Sequence, residues 1–173
     1  MRAGLRARQL VNLANGSTLA GLGVAALGRA RVTRCADGLF LGTGYRLPVP
    51  PAPAFCLGNV IVTRLDGLAP ELFRHEARHA TQYAWCGGVV MVPLYLAASA
   101  VSWALTGDFG ARNVFERRAG LAGGGYTDKP LRPGLQRVRG PVSGSGRLAG
   151  AAGRHLPWPA SAGRDGSTAS PSR

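Results

Sequence analysis

Carboxylates and lysines are scarce in this chain. Eight Asp and Glu stand against 21 Lys and Arg in 173 residues, and Lys129 is the only lysine. A formal charge of +13 ordinarily points to nucleic acid or an anionic membrane surface. Abundant Ala, Gly, Arg and Pro with almost no Lys is also the mark of a GC-rich coding bias, which raises arginine without any partner. No aromatic-interleaved basic stripe and no nucleic-acid motif accompanies the charge, so nucleic acid is not an expected partner. Cysteine is equally sparse. Cys35, Cys56 and Cys86 are widely spaced, odd in number and never form a C-x-x-C pair, which excludes a disulfide framework and a cysteine-rich zinc site and fits reduced thiols. A convincing signal peptide is missing too. Arg2, Arg6 and Arg8 precede a charge-free run over 9–28, but Asn12, Asn15, Ser17 and Thr18 interrupt it, leaving a moderate apolar segment around 19–27 that is expected to be an amphipathic or buried helix.

Histidine is as rare as cysteine, with three in the whole chain, and two of them stand in His75-Glu76-Ala77-Arg78-His79. On a helix, positions i and i+4 share a face, so both imidazoles of an H-E-x-x-H sequence can reach one metal ion. The glutamate between them lies at the same pocket and can take a proton from a water held there. The helix expected over 70–86 separates its faces in the right sense. Leu68, Leu72, His75, His79, Tyr83 and Cys86 form one stripe, while Arg74, Arg78, Thr81 and Trp85 occupy the opposite side. His155 stands far away beside Trp158 and reads as a bystander.

Around that helix the chain is uneven. Residues 31–45 carry a hairpin signal at Asp37-Gly38. The prolines between 48 and 53 make a stiff connector. Residues 55–64, including Val60-Ile61-Val62-Thr63, predict the best strand. Residues 87–106 carry no charge and match a membrane span in length, or else a wholly buried helix. Beyond the motif the only carboxylates are Asp108, Glu116, Asp128 and Asp165, and Glu116 falls in a short helical pattern over 112–122 that Gly123-Gly124-Gly125 closes. If 87–106 continued the motif helix as one span, His79 and Glu116 would lie roughly 30 Å or more apart. If the chain reverses at Gly87-Gly88, the apolar helix returns beside the motif helix, passes the level of His75 near Ala100, and a third helix brings Glu116 to that level. A shared site and a single full span are incompatible.

His75-Glu76-x-x-His79 followed by Glu116-x-x-Ala119 resembles the gluzincin type of zinc metallopeptidase, in which the glutamate of an E-x-x-A/D helix is the third ligand. The strand over 54–62 leading into Leu72-Phe73-Arg74-His75-Glu76-Ala77-Arg78-His79-Ala80-Thr81-Gln82 is similar to bacterial zincin-like domains of unknown function. The resemblance covers about 55–126. It implies that His75, His79 and Glu116 hold Zn²⁺ with one position open, and that Glu76 is the general base. It further implies Tyr126 or Asn113 as oxyanion donors, Asn59 and Gln82 as partners of the histidines, and a strand beside the motif helix that aligns an extended peptide.

The expected architecture is α+β. A zincin-like domain over 1–127, with its motif region at 55–126, holds a short antiparallel β-hairpin and edge strand followed by a three-helix unit. A disordered basic tail follows over 128–173, with net charge +6 from Lys129 and seven arginines against Asp128 and Asp165. The expected function is that of a small membrane-associated zinc metallopeptidase acting on a peptide or protein, at an anionic membrane surface or in the cytoplasm. The alternatives are a metal-stabilised module without catalysis, and a small membrane-associated protein whose motif is coincidental.

Overall fold

Asn15 and Gly16 separate two N-terminal helices, the second of which covers the apolar segment expected to be helical over 19–27. In the computed structural model, which describes residues 2–35 and 37–136, α1 (Arg2–Ala14) and α2 (Ser17–Leu27) meet at 72°. The Asn15 side chain accepts from the Ser17 amide and hydroxyl, satisfying the start of the new helix. α1 is turned with its polar side inward: Arg8 and Asn12 are buried while Leu10 and Leu13 are exposed. Asn12 donates to Asn59 Oδ1 and to the Ala80 carbonyl, pinning α1 to the rest of the domain.

The hairpin expected at Asp37-Gly38 is present as β1 (Arg31–Arg34) and β2 (Phe40–Thr43). The single strand expected over 55–64 is instead a second hairpin, β3 (Ala54–Leu57) and β4 (Val60–Thr63), turning at Gly58-Asn59. β2 runs parallel to β4, so the two hairpins merge into one mixed four-stranded sheet in the order β1-β2-β4-β3. β4 is wholly buried, and its alternation serves two layers. Val60 and Val62 pack with Ala25 and Tyr45 against α2, while Ile61 packs with Leu39, Cys56 and Ala80 toward α3. All three cysteines are free thiols.

Pro70 opens α3 (Pro70–Trp85), where its missing N–H costs nothing, and Glu71 complements the dipole of the first turn. After α3 the chain reverses as expected. Gly87 and Gly88 hold φ of +75° and +85°, which a side chain would resist, and a 3₁₀ turn leads into α4 (Met91–Thr106). α4 lies against α5 (Val114–Ala119), and its Tyr95 ring meets the His79 ring edge-on, with centroids 6.1 Å apart. α4 is not a wholly buried helix. Gly88–Thr106 is long and apolar enough to cross a membrane, and 22% of it is buried.

Residues 128–136 were expected to open the tail, yet they lie against the domain. Lys129 pairs with Asp108 at 2.7 Å, the Arg132 amide donates to the Leu105 carbonyl, and the Arg132 guanidinium stacks on Trp103. A last short helix, α6 (Pro133–Gln136), follows. The rest of the expected disordered tail, His155 included, lies outside the described residues.

Candidate metal centre

α3 turns one face to the interior, with His75, Glu76, His79, Ala80 and Tyr83 buried and Arg74, Arg78, Thr81 and Trp85 exposed. α5 faces it across the site. Asn113 caps α5 by accepting from the Phe115 amide at 2.9 Å, which places Glu116 in the first helical turn and points it at the histidines. The result is a buried group of His75, His79 and Glu116 able to bind a metal ion.

The distances within the group are compatible with a shared metal ion. His75 Nε2 lies 3.0 Å from His79 Nε2 and 3.1 Å from Glu116 Oε2, and His79 Nε2 lies 3.6 Å from Glu116 Oε1. A tetrahedral site with arms of ~2.0–2.1 Å has edges of about 3.3 Å, within the observed spread. Outer contacts set the donor atoms. His75 Nδ1 is 3.0 Å from the Gly120 carbonyl, which can only accept, so that nitrogen carries the hydrogen. His79 Nδ1 is 2.8 Å from Gln82 Oε1, and Gln82 Nε2 donates to the Phe115 carbonyl, which fixes the amide's orientation. Hydrogen-bond logic thus assigns both neutral rings the tautomer with an Nε2 lone pair facing inward. The Tyr95 hydroxyl donates to Glu116 Oε1, while Oε2 is buried with no hydrogen-bond donor. Two lone pairs and an orphaned carboxylate oxygen converge on one point, an arrangement that a cation resolves.

Electrostatics agree with this geometry. Burial pushes the Glu116 carboxyl up, but the neighbouring imidazoles and the Tyr95 hydroxyl outweigh it and hold it down at about 2. Burial pushes the His79 imidazolium down, yet Glu116, Glu76 and Gln82 more than offset this and raise its pKa. Glu76, beside the group, is raised by burial against the lowering influence of His79 and His75. Among the described residues no hydrogen bond engages the Glu76 carboxylate.

Other expected residues fall differently. Gln82 holds His79, as the resemblance implied. Asn59 does not reach the histidines; it is taken up by Asn12, the Gln9 carbonyl and the Thr18 hydroxyl. Asn113 is a cap bonded to Ser99. Tyr126 lines the cavity over the site. Tyr95 and the Gly120 carbonyl were not anticipated. Nor was the close approach of Gly124, where an added Cβ would stand 2.6 Å from His75 Nε2. The backbone there is one that any residue adopts, so Gly124→Ala acts through the ring it displaces. Metal affinity is expected to fall by at least about tenfold with the fold intact, as competition with a chelating dye would measure.

The site opens into a cavity of about 610 Å³ with largely apolar walls, whose lining includes His75, Glu76, His79 and Glu116 and the residues of edge strand β3. Comparison with protein-family models, curated proteins and solved structures finds no match.

Proposed function

We propose that this chain is a small zinc-dependent hydrolase, a membrane-associated metallopeptidase in which His75, His79 and Glu116 hold the metal and Glu76 moves the proton. The observation that carries the reading is the convergence of two Nε2 lone pairs and the donor-less Glu116 Oε2 beside a carboxylate free of hydrogen bonds. Two imidazoles and one carboxylate form a donor set that zinc takes readily. Structural zinc sites are closed by four protein ligands, whereas no further His, Cys, Asp or Glu joins this group among the described residues. That favours catalysis over a metal-stabilised module.

Bound zinc supplies Lewis acidity toward a water or carbonyl oxygen. The chain's own residues do the rest. Glu76, raised by burial, accepts a proton from the attacking water and passes it to the leaving amine. Gln82 and the Gly120 carbonyl keep the imidazoles oriented, and Tyr95 steadies Glu116. Tyr126 lines the cavity, and in this reading its hydroxyl donates to the developing oxyanion. An extended peptide can pair with β3, whose outer edge no other strand covers among the described residues.

The test is hydrolysis of a mixed peptide library by the zinc-loaded chain. Cleavage that a chelator abolishes and stoichiometric zinc restores is the expected result; a folded, zinc-loaded chain that cleaves nothing favours the non-catalytic module. Proton linkage gives a second check. With its pKa raised, His79 holds a proton in the metal-free protein at and below the usual imidazole range, and metal must displace it. Affinity therefore rises with pH, by about tenfold per unit while His79 is protonated, and levels off once it is not. Glu116, already ionised, adds nothing to this slope near neutrality. Zinc titrations across pH measure it, and an affinity independent of pH on the acid side contradicts the assignment.

A further inference from the structure

We propose that the mouth of the cavity over the metal centre docks on an anionic lipid bilayer, so that the apolar part of a membrane-resident peptide enters the site from the lipid. This deepens the hydrolase reading and, for the substrate's route, rests on it.

The cavity's own walls locate its mouth. Five apolar side chains line it and are at the same time exposed to solvent: Leu27 at 75%, Val49 at 64%, Leu96 at 61%, Leu47 and Val92. They come from three separate segments, the end of α2, the loop after β2 and the first half of α4, yet all five line the same cavity. Scattered exposed leucines need no explanation, but an apolar rim continuous with an apolar cavity is an interaction surface. α4 extends it, since Val101 and Trp103 are also exposed along a segment apolar enough for a membrane core.

Charge chooses the occupant. The three rim-forming stretches, residues 17–34, 44–57 and 87–106, contain no carboxylate at all. Arg29 and Arg46 are exposed immediately beside rim residues Leu27 and Leu47, and the Arg46 amide donates to the Gly28 carbonyl, holding the two stretches side by side. An apolar opening flanked by arginines and free of carboxylates complements an anionic bilayer, into which apolar side chains insert while guanidinium groups meet headgroup phosphates. Farther along α4, Trp103 is paired with Arg132 and Phe109, an aromatic–cationic group of the kind that sits at the lipid–water boundary. Docking needs no full span, and α3 and α5 stay on one side to share the site.

Flotation of the full-length chain with phosphatidylcholine vesicles, with and without phosphatidylserine, tests the proposal. Wild type is expected to float with the anionic vesicles, and its partitioning falls by at least about tenfold when phosphatidylserine is omitted. The variant L27E/V49E/L96E keeps the wild-type melting midpoint and zinc stoichiometry and loses at least about tenfold in binding, although it retains the whole basic tail. R29Q/R46Q leaves the apolar rim untouched and weakens binding to the anionic vesicles selectively. L10E/L13E, on the exposed apolar side of α1, binds as wild type does. The proposal is overturned if the rim variant floats like wild type, or if L10E/L13E abolishes flotation instead. It is also overturned if wild type ignores vesicles and sediments as a dimer that the rim variant dissociates, which would make a second copy the occupant. Chelated wild type still floats, so a failure of zinc binding or of hydrolysis leaves this result standing and counts against the hydrolase reading alone.

Discussion

Glu76→Gln is expected to leave zinc in place and to lower the hydrolytic rate by roughly 10²–10⁴-fold, the contribution of a positioned general base. The substitution keeps the side chain's shape and removes only its ability to take a proton. Glu76 stands outside the group of three donors, so the loss of its charge does not open the coordination sphere. Burial raises its pKa, which makes it a stronger proton acceptor than an exposed glutamate but costs ionised fraction as the solution is acidified. At zinc concentrations that keep the site saturated, rate should therefore fall on the acid side in wild type, and that limb should disappear from the residual activity of the variant. Single-turnover rates on a cleaved library peptide measure both. A variant that lost zinc would show that Glu76 is a ligand and that the roles here are misassigned.

Replacing a ligand has the opposite signature. Glu116→Gln removes the anionic oxygen that lies 3.1 Å from His75 Nε2, and His75→Phe or His79→Phe removes an inward lone pair. Zinc affinity should fall by more than the roughly 10–100-fold that loss of an outer partner costs. Gln82→Ala, which frees the His79 ring without touching the metal, calibrates that comparison and is expected within the smaller range. Metal-linked stability should fall in the same order, read as the shift of the melting midpoint on adding zinc. Equal affinity in Glu116→Gln and wild type would send the search for the third ligand to Asp108 and Asp128. Asp108 already pairs with Lys129 and accepts from the Gly110 and Ala111 amides, and Asp128 pairs with Arg112 and Arg117.

The helix that carries the histidines was legible because every local signal agreed: Pro70 at its start, an apolar stripe at helical spacing, arginines on the far side and paired glycines after it. Convergence of Glu116 on the histidines was legible too, since covalent connectivity leaves few ways to bring a late carboxylate to an earlier helix. The rest depended on partners distant in sequence. Val60-Ile61-Val62-Thr63 marked a strand, but the Gly-Asn pair before it, which turns the chain into a second hairpin, was absorbed into that strand. The helix before Asn15-Gly16 was hidden because α1 buries its polar side, against the usual pattern, to satisfy Asn59 and the Ala80 carbonyl. The same network explains why Asn59 is no partner of the histidines. The oxygen that orients His75 is a backbone carbonyl at Gly120, and no side-chain pattern advertises it. Tyr95 was concealed by the apolar character of its helix, in which a single hydroxyl aimed at Glu116 leaves no pattern.

The central claim is that His75, His79 and Glu116 hold one metal ion, and metal content tests it most directly. The full-length chain, stripped with chelator, incubated with a slight excess of zinc and dialysed, should retain one equivalent of zinc per chain by elemental analysis. The triple substitution of His75, His79 and Glu116 should retain none. A folded wild type that keeps no zinc, or a triple variant that keeps one equivalent, contradicts the account.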